Sequence, residues 1–143
     1  MGTLLVKLRN LLEGLGITMT LFSLVLVIAV PLGFVICFGR MSRIAPLRWL
    51  AKGYILILRG TPLLLQLIFF YFGFMALNIQ GVTRMGAAVL AFSLNYSAYF
   101  AEIYRSGMQA VPRGQYEAAD VLGLSRKQTF FKIALPQVLK NVL

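Results

Sequence analysis

Gly14 to Gly39 is a run of 26 residues without a formal charge, and it limits the fold more than any other stretch. As a helix rising 1.5 Å per residue it reaches about 39 Å, more than the roughly 30 Å hydrocarbon core of a bilayer. The run therefore spans with tilt, or leaves its ends among the headgroups. Pro31 and Gly33 lie inside it, where they mark a packing kink or a hinge. Composition agrees with a membrane setting, since 59% of residues are hydrophobic and only 13% charged, against roughly 25% charged in soluble domains. The expected fold class is all-α: a polytopic membrane protein with about three transmembrane helices.

The chain reads as a single transmembrane domain. Residues 1–13 interleave Leu4, Leu5, Leu8, Leu11 and Leu12 with Lys7 and Arg9, as in a short interfacial amphipathic helix, and are expected to be retained. Residues 14–39 form span 1. Residues 40–59 carry Arg40, Arg43, Arg48, Lys52 and Arg59 with no acidic residue, and the spacing of Leu47, Leu50, Ala51 and Tyr54 predicts an amphipathic helix along or into the membrane surface. Trp49 suits the headgroup level there. Thr61 as N-cap and Pro62 as first helical residue predict a helix start, or a break in a longer helix, opening span 2 over 60–80. Span 3 covers 85–104, with Asn95, Tyr96, Ser97 and Tyr99 in its second half and Glu102 next to Arg105 at its end.

Several functions are excluded at this level. The net charge of +10 is dispersed between apolar runs, which fits positive loops beside spans and argues against a nucleic-acid partner. Cys37 is the only cysteine and reads as a small packed hydrophobe. Histidine is absent, and only Glu13, Glu102, Glu117 and Asp120 are acidic, so a metal site or hydrolytic centre has little to draw on. No G-x-x-x-x-G-K-[ST] phosphate loop is present.

Residues 105–136 contain a helix–turn–helix. Pro112 can open the first helix, Gly123 ends it in a left-handed conformation, and Ser125 with Gln128 has the form of a capping box. Pro136 limits how far the second helix can run without a kink, and 137–143 begin a further one. Two helices this short are not stable alone in water, so the hairpin must dock on something.

The pattern Glu117-Ala118-Ala119, Gly123, Ile133, Leu135-Pro136 resembles the EAA loop of ATP-binding-cassette importer permeases. RGTPLLLQLIFFYFG and NYSAYFAEIYRSGMQAVPRGQYEAA resemble the polar amino acid branch of that family, the histidine, glutamine and arginine type. The resemblance implies a partial type I importer permease fold, in which the hairpin is a coupling helix seated on a separate ATPase subunit. Coupling would rest on Glu117, Ala118, Ala119, Leu122, Gly123, Leu124, Ile133, Leu135 and Pro136, with Phe130 adding apolar contact. Glu117 and Asp120 would sit near the start of the first helix, where its dipole favours negative charge, or pair with basic groups of the ATPase.

Gln66, Asn95, Ser97 and Glu102 would line the substrate pathway or serve as interhelical hydrogen-bond glue. Other implied partners are a second permease subunit, an extracytoplasmic amino-acid-binding protein and the lipid bilayer. No cofactor is expected on this chain, ATP and Mg being held by the ATPase, and no enzymatic activity. The implied location is the bacterial inner membrane. Basic residues in 40–59 and in 105–136 place both segments in the cytoplasm and the N-terminus outside. Family members carry two further spans after the loop, so the chain is expected to be C-terminally truncated. A non-transporting remnant and a small membrane channel are the alternative readings.

Overall fold

The computed structural model describes residues 2–79 and 81–142; the expected element ends at Met1, Gln80 and Leu143 lie outside them. Helix α1 runs unbroken over Gly2–Met41, a length of about 60 Å. An interfacial helix separate from span 1 is therefore not seen. The charge pattern changes after Glu13, but the backbone has no reason to. Arg9 pairs with Glu13 one turn on (Nε to Oε1 2.9 Å), and an interior glycine costs a helix only about 1 kcal/mol. The hydroxyls of Thr18 and Thr20 donate to the carbonyls of Gly14 and Gly16 (2.9 and 2.8 Å).

Helices α2 (Ala45–Gly60) and α3 (Leu63–Ala76) meet at a 104° bend. The alternative of a break in a longer helix is the one observed. Thr61 is not the N-cap of α3: its hydroxyl donates to the Ile57 carbonyl (2.8 Å) at the end of α2, and Pro62 holds the cap position. Span 2, expected over 60–80, is thus a 14-residue helix ending at Ala76, about 21 Å long and short of a full crossing by itself. Asn78 then turns the chain with φ 51°. Helix α4 (Arg84–Ala110) starts at Thr83, whose Oγ1 accepts from the Gly86 amide (3.0 Å), and outruns the expected end of span 3 by six residues. Among the described residues α1 alone is long and apolar enough to cross a membrane as one straight helix, and α2 with α3 meets that test only as a bent pair.

Helix α4 is the hub. It packs along α1 most extensively, and also against α2, α3 and the C-terminal helix. The contact with α1 is close where small residues line it: Ala98 and Ala101 are fully buried beside Cys37. At Gly33 the helices nearly touch, since a Cβ there would lie 2.6 Å from Phe100 Cβ and 3.0 Å from the Ser97 carbonyl. Cys37, Ile55, Ala98 and Ala101 form the core cluster where α1, α2 and α4 converge.

Beyond α4 come α5 (Arg113–Val121), α6 (Arg126–Thr129), a π-helical turn over Phe130–Ala134, and α7 (Leu135–Val142). Pro112 stands one position earlier than expected, at the N-cap of α5. At Pro136 the second helix continues, but its geometry is altered. The proline has no N–H for the Lys132 carbonyl, and its ring crowds that group. The turn before it widens instead, and the Leu135 amide donates to Phe130, five residues back.

The accessible surface is 10457 Å², well above the roughly 7,400 Å² expected of a compact soluble protein of this mass. Large apolar side chains stand exposed along it, from Leu24, Val27 and Val35 of α1 to Phe69 and Phe72 of α3, which suits a lipid-facing bundle.

Gly33→Ala is expected to force α1 and α4 apart, costing about 1–3 kcal/mol. Gly53→Ala in α2, where nothing lies within 4 Å, should instead stabilise by up to about 1 kcal/mol. Thermal unfolding of the two variants in detergent micelles compares them directly, and equal effects would contradict the packing described.

Candidate functional site

Two places gather the residues singled out above, a hairpin at one end of the bundle and a helix break inside it. The hairpin is built by local chemistry. Gly123 adopts φ 69°, and around it the Leu124 amide donates to Ala119 and the Gly123 amide to Asp120 (3.0 Å each). These are the two bonds of a Schellman motif, which satisfies the last carbonyls of α5. Ser125 Oγ accepts from the Gln128 amide (3.3 Å) while Gln128 Oε1 accepts from the Ser125 amide (2.9 Å), so the capping box is complete. Both ends of the turn are closed without outside help.

The faces of the hairpin differ. Ala119 is fully buried, whereas Glu117, Ala118 and Asp120 are exposed, and Leu122 and Val121 stand 74% and 88% exposed at the tip. Leu124 and Phe130 are partly buried; Phe130 turns inward, its ring 6.1 Å from Phe38 of α1. The outward apolar pair is therefore Val121 with Leu122, and Val121 had no signal in the sequence beyond its position before the turn. Ile133 and Leu135 are partly buried and Pro136 is exposed. Glu117 and Asp120 do not cap the dipole of α5. The first turn holds no acidic residue, Arg113 opens the helix, and Asp120 lies in its last turn, an order opposed to the dipole. Neither carboxylate has an ion-pair partner among the described residues. Helix α5 packs little on the rest of the chain, and its side-chain link to α7 is Gln137 Nε2 to Gln115 Oε1 (3.3 Å).

The break follows from Pro62. In a continuous helix the Leu58 carbonyl would accept from the amide four residues on, but that residue is proline and has none. Two side-chain amides replace it. Gln66 Nε2 donates to the Leu58 carbonyl (2.9 Å), with Thr61 Oγ1 at 2.7 Å, and Asn95 Nδ2 of α4 donates to the same carbonyl (2.9 Å) and to Gln66 Oε1 (3.0 Å). Next to this knot, the Tyr54 hydroxyl lies 2.9 Å from the Leu94 carbonyl and 2.8 Å from Ser97 Oγ. Gln66, Asn95 and Ser97 are all buried. Their polar atoms are engaged with the chain itself, the arrangement expected of interhelical glue. Glu102 accepts from Arg105 Nε and Nη2 (2.9 and 2.6 Å) one turn on. Beside the knot, Tyr96, Tyr99, Phe100 and Ile103 of α4 line a groove of about 420 Å³ together with Asn95 and Leu63, and Arg59 stands 5.0 Å over the Tyr99 ring.

Comparison with known proteins bears on both places. Residues 29–143 match the family described as binding-protein-dependent transport system inner membrane component. The chain is 43% identical over 131 residues to the probable amino-acid ABC transporter permease protein YckA of Bacillus subtilis, covering 92% of this chain and 58% of that protein. It is 40% identical over 132 residues to the arginine transport system permease protein ArtQ of the same organism, covering 92% and 60%. The crystal structure of an amino acid ABC transporter with histidines superposes with a TM-score of 0.85 at 40% identity, over 96% of this chain and 64% of that one. The chain thus spans roughly three-fifths of the length of these curated relatives.

Asn95→Leu and Gln66→Leu each strip a donor from the Leu58 carbonyl and are expected to cost about 1–3 kcal/mol. Because the two amides share that acceptor and bond each other, their effects should not add: the bond between them is lost in either single variant, while the carbonyl loses its last donor only in the double. A double-mutant cycle on thermal unfolding measures the coupling; strict additivity would mean the two act independently.

Proposed function

This chain belongs to the family of binding-protein-dependent transport system inner membrane components, and from that premise we propose that it acts as the membrane-spanning permease subunit of an ATP-binding-cassette importer for a polar amino acid. The observation that carries the reading is the hairpin: a turn closed by its own backbone and capping bonds that holds an exposed apolar tip, Val121 and Leu122, beside two carboxylates without an ion pair among the described residues. Such a tip suits a groove on another protein. In this reading that protein is the ATPase subunit, which holds ATP and Mg and performs the hydrolysis, while this chain performs no catalysis. A second permease subunit and an external binding protein complete the importer. The relatives named for amino acid and arginine transport support the substrate class.

Orientation follows from charge. Basic residues concentrate in 40–59 and 105–136, against Arg84 alone from the end of α3 through the first residue of α4, so the N-terminus is assigned outside and the hairpin to the cytoplasm.

The mechanism is mechanical coupling. When two ATPase subunits close on ATP, they carry the hairpin tips with them. Helix α4 leads directly into α5 through buried Val111. On the return, Phe130 bears on Phe38 of α1 and α7 packs on α4. Displacement at Leu122 is thereby passed to α1 and α4 together, which rock as a unit between outward and inward access. Glu117, Ala118, Ala119, Leu122, Gly123, Leu124, Ile133, Leu135 and Pro136 remain the coupling set, with Val121 added. Within the pathway, Gln66, Asn95, Ser97 and Glu102 are assigned to its framework, and Tyr96 and Tyr99 to its wall.

Gly123→Val places a β-branched residue at positive φ, a strain of about 1–3 kcal/mol confined to the turn. The expected result is a chain that still inserts but no longer copurifies with its ATPase, with uptake in reconstituted vesicles lowered about tenfold or more. Leu122→Asp should give the same loss without backbone strain. Normal uptake by both would refute the assignment of the hairpin.

A further inference from the structure

Helix α2 presents two exposed surfaces side by side. Arg48 and Lys52, four residues apart, stack on one side of the helix, with Arg43 just before its start. Next to them runs an apolar strip in which Trp49, Leu50, Leu56 and Ile57 are 62–72% exposed, containing a shallow groove of about 570 Å³ along Pro46, Trp49, Leu50, Gly53, Tyr54 and Ile57. The boundary between the surfaces is marked by Lys52, whose Nζ lies 5.2 Å over the Trp49 ring. The buried side, Ala51 and Ile55, faces α1 and α4.

The cations are not neutralised by the chain. No acidic residue occurs between Glu13 and Glu102, and the ion pairs among the described residues are Arg9–Glu13 and Arg105–Glu102. Arg48 Nη1 reaches only the Ser42 carbonyl, at 3.4 Å. A surface that is apolar along one strip and cationic along its flank fits an amphiphile with an anionic head. An acidic protein segment would satisfy the cations but leave Trp49, Leu50, Leu56 and Ile57 without an apolar cover.

We infer that the N-terminal half of α2 is a binding site selective for anionic phospholipid, with the phosphate-bearing headgroup held by Arg43, Arg48 and Lys52 and the acyl chain lying along Trp49 and Leu50. Several basic side chains beside an apolar helix face are the physical basis of such selectivity, each worth roughly a fivefold gain near an anionic surface. The site lies at the same end of the bundle as the hairpin, because Leu47 and Ala51 pack at Gly39 near the end of α1 and Phe38 packs on Phe130. It does not depend on the transport reading: a chain that failed to couple to an ATPase would still show it.

Trp49 is the only tryptophan, so its fluorescence reports this site alone. The full chain is reconstituted in phosphatidylcholine vesicles that contain, at equal mole fraction, either brominated phosphatidylglycerol or brominated phosphatidylcholine. Stronger quenching by the anionic lipid is expected, falling toward parity in Arg48→Gln/Lys52→Gln and in high salt, which screens exposed charge. Equal quenching of the wild-type chain would overturn the inference, as would a preference that survives in the double variant. Quenching by neither lipid would also overturn it, since the strip would then be covered by protein, such as a second copy of the chain.

Discussion

A carbonyl that has lost its donor sets much of this structure. Inside a bilayer an unpaired backbone group has no water to turn to, and Pro62 denies the Leu58 carbonyl its amide. The chain answers with Gln66 from the next helix and Asn95 from α4, 37 residues away. Bending is permitted by proline, but the direction of the bend is fixed by which side chains reach the carbonyl. Because Asn95 belongs to α4, the break also becomes the point where α2, α3 and α4 are tied. Tyr54 and Ser97 extend the same tie by one turn. The elbow is a joint with its polar groups filled, and α3 is positioned by hydrogen bonds as much as by packing.

The hairpin was legible in the sequence because its determinants are local. Gly123, Ser125 and Gln128 act within a few residues of one another, and each took the conformation its chemistry predicts. The break was half legible. Pro62 signalled an interruption, but the partner that completes it stands on another helix, and a polar residue in a span reads equally as pathway or as glue. The continuity of α1 was hidden for a different reason: the pattern of charge changes at Gly14, while helix formation responds to backbone bonding, which does not change there. Helix α4 reads as a modest span because its inward face is Ala, Ser and Asn, residues chosen for close packing and bonding instead of hydropathy.

Side-chain direction was the least legible property. Phe130 and Leu122 are both apolar residues near one turn, yet one is drawn inward to Phe38 and the other stands in the open. The placement of Glu117 and Asp120 against the dipole of α5 likewise becomes visible only once the helix has a defined start. That order contributes nothing to the stability of α5 itself.

The π turn before Pro136 has a consequence for how one helix serves two neighbours. Thr129 and Ala134 are both buried although they are five residues apart, a spacing that in a regular α-helix of 3.6 residues per turn would set them about 140° apart. Widening one turn by a residue resets the phase, so that buried Thr129 at the end of α6 is followed on the inward side by buried Ala134 in the π turn and buried Val138 in α7, with Phe130 of the turn packed on Phe38 of α1. A proline that would otherwise interrupt the helix is thus placed where the register slips anyway, and the two ends of one rod are brought into alignment.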